Sequence, residues 1–598
     1  MTIYGVILRR SRRIFVVSLR LRLVSRRRIL KSIHFTSAYM RAIIENMIEN
    51  LADELKKIVK GDVENADSVL SEYSHDASLF EVKPKVVVFP KDAEDLENLV
   101  KFVGDRKKDD PSLSLTGRSA GTDMSGGPLN SSIIVSFGRY FTKIGEVGDH
   151  SVDVQPGVFY RDLEKETLKK DLIFPSYPAS REICAVGGIV NNNSGGEKSL
   201  RYGKTENYVE QLNAVLSDGK MHTLKPLNRQ ELEAKISAGG FEGGLYSKMY
   251  KLILENYDLL QQAKPKVDKN SAGYYLWNIW DKEKDVFNLV KVFVGAQGTL
   301  GLLNDATLDL IPNEKYSRLV IVFLYGLEPL AQLINDVLPL KPESFEAYDD
   351  NTLKLAMKFF PSFAKLMGTK NILSLGFQFL PEFMMMLKGG LPKLILQVEF
   401  VGNDEKEIDA KAQALSDRLQ KELKLRTKVA RSPRDMRKYW LIRRESFNLL
   451  RHKIKDKHTA PFIDDFIVNP EHLEKFLPEL NALFAKYTGL IYTVAGHVGD
   501  GNFHVIPLMK IEDPKTKQII EELGPKVYDL VLKYGGSITA EHNDGIVRSP
   551  YLEKMYGEKV YELFEETKKI FDPQNIFNPG KKVNSSMEYA MSHIREHW

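Results

Sequence analysis

The chain has 598 residues, 43% of them apolar and 28% charged, enough to build two or three domains with sizeable cores. Its one cysteine, Cys184, excludes a disulfide framework and suits a reducing compartment. The formal charge of +5 is unevenly placed: residues 1–46 hold ten arginines and one lysine against Glu45 alone, so the remainder carries about −5, which argues against nucleic acid as a partner.

In that basic extension, arginines from Arg9 to Arg28 interleave with Ile, Leu and Val, and no acidic residue precedes Glu45. Three readings stand: a transit peptide, a membrane-surface helix, or an overextended gene start with Met40 or Met47 as initiator. The expected location is cytoplasmic or peripheral on the inner face of a membrane, and organellar if the segment is a transit peptide.

From residue 47 to about 260, strand-like runs at 85–89, 133–136 and 152–154 alternate with helical patterns at 93–104 and 160–168, predicting an α+β domain. A short apolar strand at 113–115 leads into Thr116-Gly117-Arg118-Ser119-Ala120-Gly121-Thr122-Asp123-Met124-Ser125-Gly126-Gly127. Successive backbone N–H groups in such a glycine-rich turn form a nest for phosphates. The loop is neither a Gly-x-Gly-x-x-Gly opening a helix nor a Gly-Lys-Ser/Thr loop, so Rossmann and P-loop readings are unsupported. Three further segments extend the pattern: 174–180 with Pro178, the stretch from Val186 through Gly187, Gly188 and Asn193 to Gly196, and 294–302 with Gly298 and Gly301, the last within an expected connection over 261–315.

A second domain is expected over 316–540, with strands at 319–325 and 394–400 and a charged amphipathic helix at 405–423. No window offers the roughly 18 to 20 uninterrupted apolar residues needed to span a bilayer. The greasy stretch 372–396 is read as domain packing, with a peripheral membrane patch as the alternative. A buried strand at 491–494 precedes Gly496-His497-Val498-Gly499-Asp500-Gly501-Asn502-Phe503-His504, and Ala540-Glu541-His542-Asn543-Asp544-Gly545 follows. His497, His504 and Glu541 are ligand types for a divalent metal such as zinc or manganese, and three protein ligands leave a position open, as a catalytic site requires. His542, beside Glu541, is a candidate base. A C-terminal segment over 541–582, largely helical from Pro550 to Lys581, and a tail over 583–598 complete the chain.

The order of these segments resembles the vanillyl-alcohol-oxidase (PCMH) type of FAD-binding domain, and the histidine cluster resembles the C-terminal substrate domain of FAD-linked D-2-hydroxyacid dehydrogenases, which include D-lactate, glycolate and D-2-hydroxyglutarate dehydrogenases. The likeness runs from about Tyr73 to Lys581. It implies a PCMH-type FAD-binding domain plus a C-terminal domain with an antiparallel sheet and flanking helices. It also implies FAD contacts at Gly117, Ser119, Gly121, Thr122, Ser125, Pro178, Gly187, Gly188, Asn193, Gly301 and Asn578. The metal would be held by His497, His504 and Glu541, with His542 acting on the substrate hydroxyl and Arg444, or Arg443 one residue away, gripping the carboxylate. The implied reaction oxidises a small 2-hydroxy acid, D-lactate or glycolate, with FAD taking the hydride. Rival readings are a metal-free carbohydrate or alcohol oxidase of the same fold, a metal-dependent hydrolase, and a flavin-retaining binding protein.

Departures from the family pattern sharpen this expectation. Asn543-Asp544 replaces the common Gly-Ile after the Glu-His pair, Ile506 stands where Asn is frequent, and no second carboxylate-binding lysine is evident around 462–465, which disfavours a dicarboxylate. One cysteine cannot hold an iron–sulfur cluster, so electrons are expected to leave through a separate acceptor such as a quinone, a cytochrome or an iron–sulfur protein.

Overall fold

The computed structural model describes residues 50–358, 390–453, 457–487 and 490–596. The basic extension and most of the 372–396 stretch therefore lie outside the described residues. The α+β character is as expected, in two sheet-bearing halves with a shared cavity.

Helix Ala93–Arg106 forms for legible reasons: the Asp92 side chain caps it by accepting from the Asp95 N–H, and Leu96, Leu99, Val100 and Val103 fall on one buried stripe. That stripe packs on a four-stranded sheet ordered Asp62–Glu64, Val86–Phe89, Ile133–Ser136, Leu115–Arg118, whose last two strands are parallel. The expected strand at 113–115 is shifted. Pairing with Ile133–Ser136 continues through Gly117 and Arg118, so the strand delivers the first residues of the glycine loop directly to the cavity. A second sheet runs Ser151–Val154, Leu302–Asp309, Val209–Val215, Met221–Leu224, all antiparallel. Leu276, Phe287, Val292 and Leu308 share its core with Val152, Leu212 and the C-terminal Phe564 and Phe571, so residues 261–315 are packed into this body.

The segment around Gly187 is a correction. It is a helix, Val186–Asn192, because Val186, Ile189 and Val190 bury against that core; only its end at Asn193, with φ 47°, takes a turn conformation.

The second half is built on an eight-stranded sheet whose main path is Arg426–Ala430, Tyr316–Leu324, Leu394–Gly402, Ser344–Asp349, Ile491–His497, Asn502–Met509, His458–Thr459. Helix Glu405–Glu422, capped by Asp404, lays Ile408, Ala412, Leu415 and Leu419 on it. The 491–494 expectation is also corrected: the strand extends to His497, and Ile491 is 48% exposed. The C-terminal chain returns to the first half, where helix Glu558–Phe571 enters its core and Phe577 bridges Leu115.

Candidate active site

A cavity of about 1090 Å³ opens between the halves, at the upper end of ligand-pocket sizes and roomy enough for a large cofactor beside a small acid. Gly117, Ser119, Gly121, Thr122, Pro178, Gly187, Gly188 and Gly301 all line it. At Gly187 an added Cβ would come 2.4 Å from the Pro156 Cβ and 2.5 Å from the Ser119 Oγ, whereas at Gly188 it would meet nothing within 4 Å. One glycine permits close packing of the wall, and its neighbour keeps the space in front of it clear. Three other expected cofactor residues stand behind this lining. Ser125, Asn193 and Asn578 are buried and do not line the cavity. Ser125 accepts from Gln297, Asn193 binds Glu206, and the Asn578 amide donates to Gly127 O and Gln297 O, so they fasten the wall from behind.

The spacing of the two candidate metal histidines follows from a hairpin. His497 ends strand Ile491–His497, Asn502–Met509 returns beside it, and the pairing of His497 with Asn502 and of Ala495 with His504 puts both imidazoles on one face. The turn is tight enough to need Gly501, which has φ +77° and where a Cβ would lie 1.9 Å from Val468 O. Glu541 arrives from a turn that Asp465 holds through three backbone N–H groups.

The donor set fits a divalent cation. One ligand atom each from His497, His504 and Glu541 lies within 4.8 Å of the others. The His497 Nε2 is 3.2 Å from Glu541 Oε2, and bonds of roughly 2.0–2.2 Å put two tetrahedral ligands about 3.3 Å apart. Surrounding carboxylates orient the donors: Glu346 Oε1 lies 2.5 Å from His497 Nδ1, while Lys269 spans Glu541 Oε1 at 2.8 Å and Asp500 at 2.7 Å. Burial alone would lower the pKa of His497, but the Glu346 and Glu541 carboxylates raise it to about 9; burial lowers that of His504. A cation there would counter the negative charge that Glu541 keeps, whose pKa is held well below the usual carboxylate range by His497 and Lys269 against its burial.

His504 and His542 line the cavity, with His497 and Glu541 behind them. The His542 ring stacks on His504 at 4.9 Å, and its Nδ1 is 2.6 Å from Asp464. Its pKa, which burial would depress, is lifted to about 9 by Asp465 and Asp464, and a nearby cation would oppose that lift. Arg443 and Arg444 both reach the cavity wall, each already facing a carboxylate: Arg443 Nε lies 3.0 Å from Glu346, and Arg444 clamps Glu197 of the other half, with Nε at 3.0 Å. Asp464, Asp465, Glu346, Lys269 and Glu197 are site residues the sequence pattern did not single out. The one available signal was the adjacent carboxylate pair inside the apolar run 462–468.

Two family models match the chain: "FAD binding domain" over residues 84–225, which contains the glycine loop, and "FAD linked oxidases, C-terminal domain" over 314–582, which contains the histidines. The chain belongs to the FAD-linked oxidase family. Among its relatives, a D-2-hydroxyglutarate dehydrogenase of Pseudomonas putida is 31% identical over 85% of this chain and 49% of its own length, so this chain spans about half of that protein. A D-lactate dehydrogenase of Archaeoglobus fulgidus is 26% identical over 83% and 91%, and the glycolate oxidase subunit GlcD of Bacillus subtilis 25% over 85% and 91%. In fold, this chain is similar to 4-ethylphenol oxidase from Gulosibacter chungangensis, with a TM-score of 0.62 at 15% identity over 90% of this chain and 98% of that one. It is also similar to p-cresol methylhydroxylase, with a TM-score of 0.58 at 13% identity over 89% and 96%, as expected for a PCMH-type domain.

Proposed function

We propose that the chain is a FAD-dependent dehydrogenase that oxidises a small D-2-hydroxy acid, D-lactate or glycolate, to the 2-oxo acid with the help of a divalent cation. The observation that carries this reading is the cation-ready set His497, His504 and Glu541 with His542 beside it, at the wall of the cavity of a FAD-binding domain. Gly117, Ser119, Gly121, Thr122, Gly187 and Gly188 would hold FAD; His497, His504 and Glu541 would hold the cation. When bound, FAD supplies the hydride acceptor and the cation supplies the positive charge that favours an ionised substrate hydroxyl.

The remaining steps belong to side chains. His542 takes the hydroxyl proton at Nε2, the ring nitrogen turned away from Asp464. Arg443, linked through Glu346 to His497, orients the substrate carboxylate; Arg444 is engaged with Glu197 and serves as a clamp between the halves. Thr493, Ala495 and Ile506 offer an uncharged wall for the substrate side chain, which favours lactate or glycolate over a dicarboxylate. A second reading, D-2-hydroxyglutarate, is favoured by Arg437, an exposed cation on the same cavity that a distal carboxylate could meet. Within these 598 residues a single cysteine cannot supply the thiolates of an iron–sulfur cluster.

Anaerobic mixing with D-lactate, L-lactate, glycolate and D-2-hydroxyglutarate, followed by flavin absorbance at about 450 nm, tests the proposal. Bleaching by D-lactate or glycolate that is lost on chelation supports it. Bleaching by D-2-hydroxyglutarate alone selects the second reading, and a flavoprotein that no 2-hydroxy acid bleaches removes both.

A further inference from the structure

Asp464 is fully buried, yet neither of its oxygens has a well-aligned hydrogen-bond partner. Oδ2 lies 2.6 Å from His542 Nδ1, and Oδ1 lies 3.3 Å from His504 Nδ1. Both imidazole nitrogens are likewise buried without another partner. The neighbouring Asp465 is different: its Oδ2 accepts from Thr539 Oγ1 and from the N–H groups of Ala540, Glu541 and His542, which makes it a fastener of the turn. Asp464 fastens no backbone through its side chain. Among the described residues its close polar neighbours are the two rings, which stack at 19° with their Nδ1 atoms turned to the same carboxylate.

Two readings compete for this arrangement. Asp464, His504 and His542 could themselves hold an ion, since their ligand atoms cluster within 4.8 Å. The 2.6 Å separation decides against that, because two separate ligands of one tetrahedral ion stand about 3.3 Å apart, whereas 2.6 Å is a charge-assisted hydrogen-bond distance. An ionised carboxylate only accepts, so Asp464 is satisfied when each facing imidazole presents Nδ1–H. On each ring Nε2 is then left with its lone pair and directed away from Asp464.

We infer that Asp464 is a positioning residue that sets the tautomers of His504 and His542 together, so that one buried carboxylate prepares a cation ligand and the proton acceptor in a single arrangement. The inference rests on the function proposed above. The buried Arg548, which donates to Asp464 O and to Asn543 O, ties the Asp464 backbone to the turn that carries His542. Cation binding and base orientation are thereby coupled: disturbing Asp464 disturbs both.

The test uses flavin-loaded full-length protein and Asp464→Asn, which keeps the shape but offers one acceptor and one donor group where two acceptors are needed. Zn²⁺ affinity is read by competition with a chromogenic chelator, and kcat and KM are measured with saturating cation. Asp464→Asn is expected to bind Zn²⁺ roughly 10–100-fold more weakly and to lose about 10²-fold or more in kcat with KM within a few-fold. Flavin content and thermal midpoint report folding of the variant. Should it misfold, ¹⁵N-histidine NMR of the wild type decides independently: His504 and His542 are expected as Nδ1–H tautomers, and an Nε2–H tautomer at either overturns the inference. Unchanged Zn²⁺ affinity and kcat in Asp464→Asn overturn it while leaving the proposed function standing. Two Zn²⁺ ions per wild-type chain, falling to one in the variant, overturn it by making Asp464 a ligand. A wild type that binds no divalent ion removes the proposed function first and this inference with it.

Discussion

Asp465 Oδ2 accepts the backbone N–H of Glu541 at 2.8 Å, and the same oxygen takes the N–H groups of Ala540 at 3.0 Å and His542 at 2.6 Å. A single buried oxygen thus sets where a candidate ligand and a candidate base leave the backbone. Asp465→Asn keeps one oxygen but sets its amide donor either against these N–H groups or against the Asn502 amide that donates to Oδ1. A loss of about 3 kcal/mol or more in stability is expected, read as a shift in urea midpoint, together with loss of bound cation measured by elemental analysis.

The flavin and cation positions are built from different residues, so they should separate experimentally. Chelation, or the double variant His497→Ala with Glu541→Gln, is expected to abolish 2-hydroxy acid turnover by at least about 10²-fold while leaving the flavin spectrum in place. Flavin release on chelation would contradict this division of the cavity.

The clamp between the halves makes a pH prediction. Burial alone would raise the pKa of Glu197, but Arg444, with Arg181 and Lys198, holds it down to about 2, below its ordinary 4.5. Because the folded value is the lower one, the stabilisation is present above pH 4.5 and is lost as pH falls towards 2. It amounts to roughly 3 kcal/mol. Thermal midpoints of wild type and Glu197→Gln between pH 2.5 and 6, read as about that range, should converge at the acid end and diverge above it.

Neighbouring glycines should fail in different ways. Gly187→Ala drives a Cβ into Pro156 and is expected to cost about 1–3 kcal/mol, seen in the denaturation midpoint. Gly188→Val projects into open cavity and should leave stability nearly unchanged while reducing flavin content of the purified protein. Equal effects on both properties from both variants would mean the two positions are not on opposite sides of the wall.

Much of this arrangement was legible locally. Asp92 before Ala93–Arg106 and Asp404 before Glu405–Glu422 cap helices whose apolar stripes recur at three- and four-residue spacing, so chain-local physics determined them. His497, His504 and Glu541 stood out because ligand types beside glycines are rarely needed for packing alone. The partners of those ligands were a different matter. Asp464, Glu346 and Lys269 are charged residues that local sequence reads as surface, and only long-range packing buries them against His542, His497 and Glu541. Arg443 and Arg444 could not be told apart by pattern, since adjacent helical residues point about 100° apart and which carboxylate each meets depends on how the two halves pack. Residue types and spacing determined which groups could do chemistry here; burial and cross-domain pairing, set by contacts hundreds of residues apart, decided which carboxylate aims each of them.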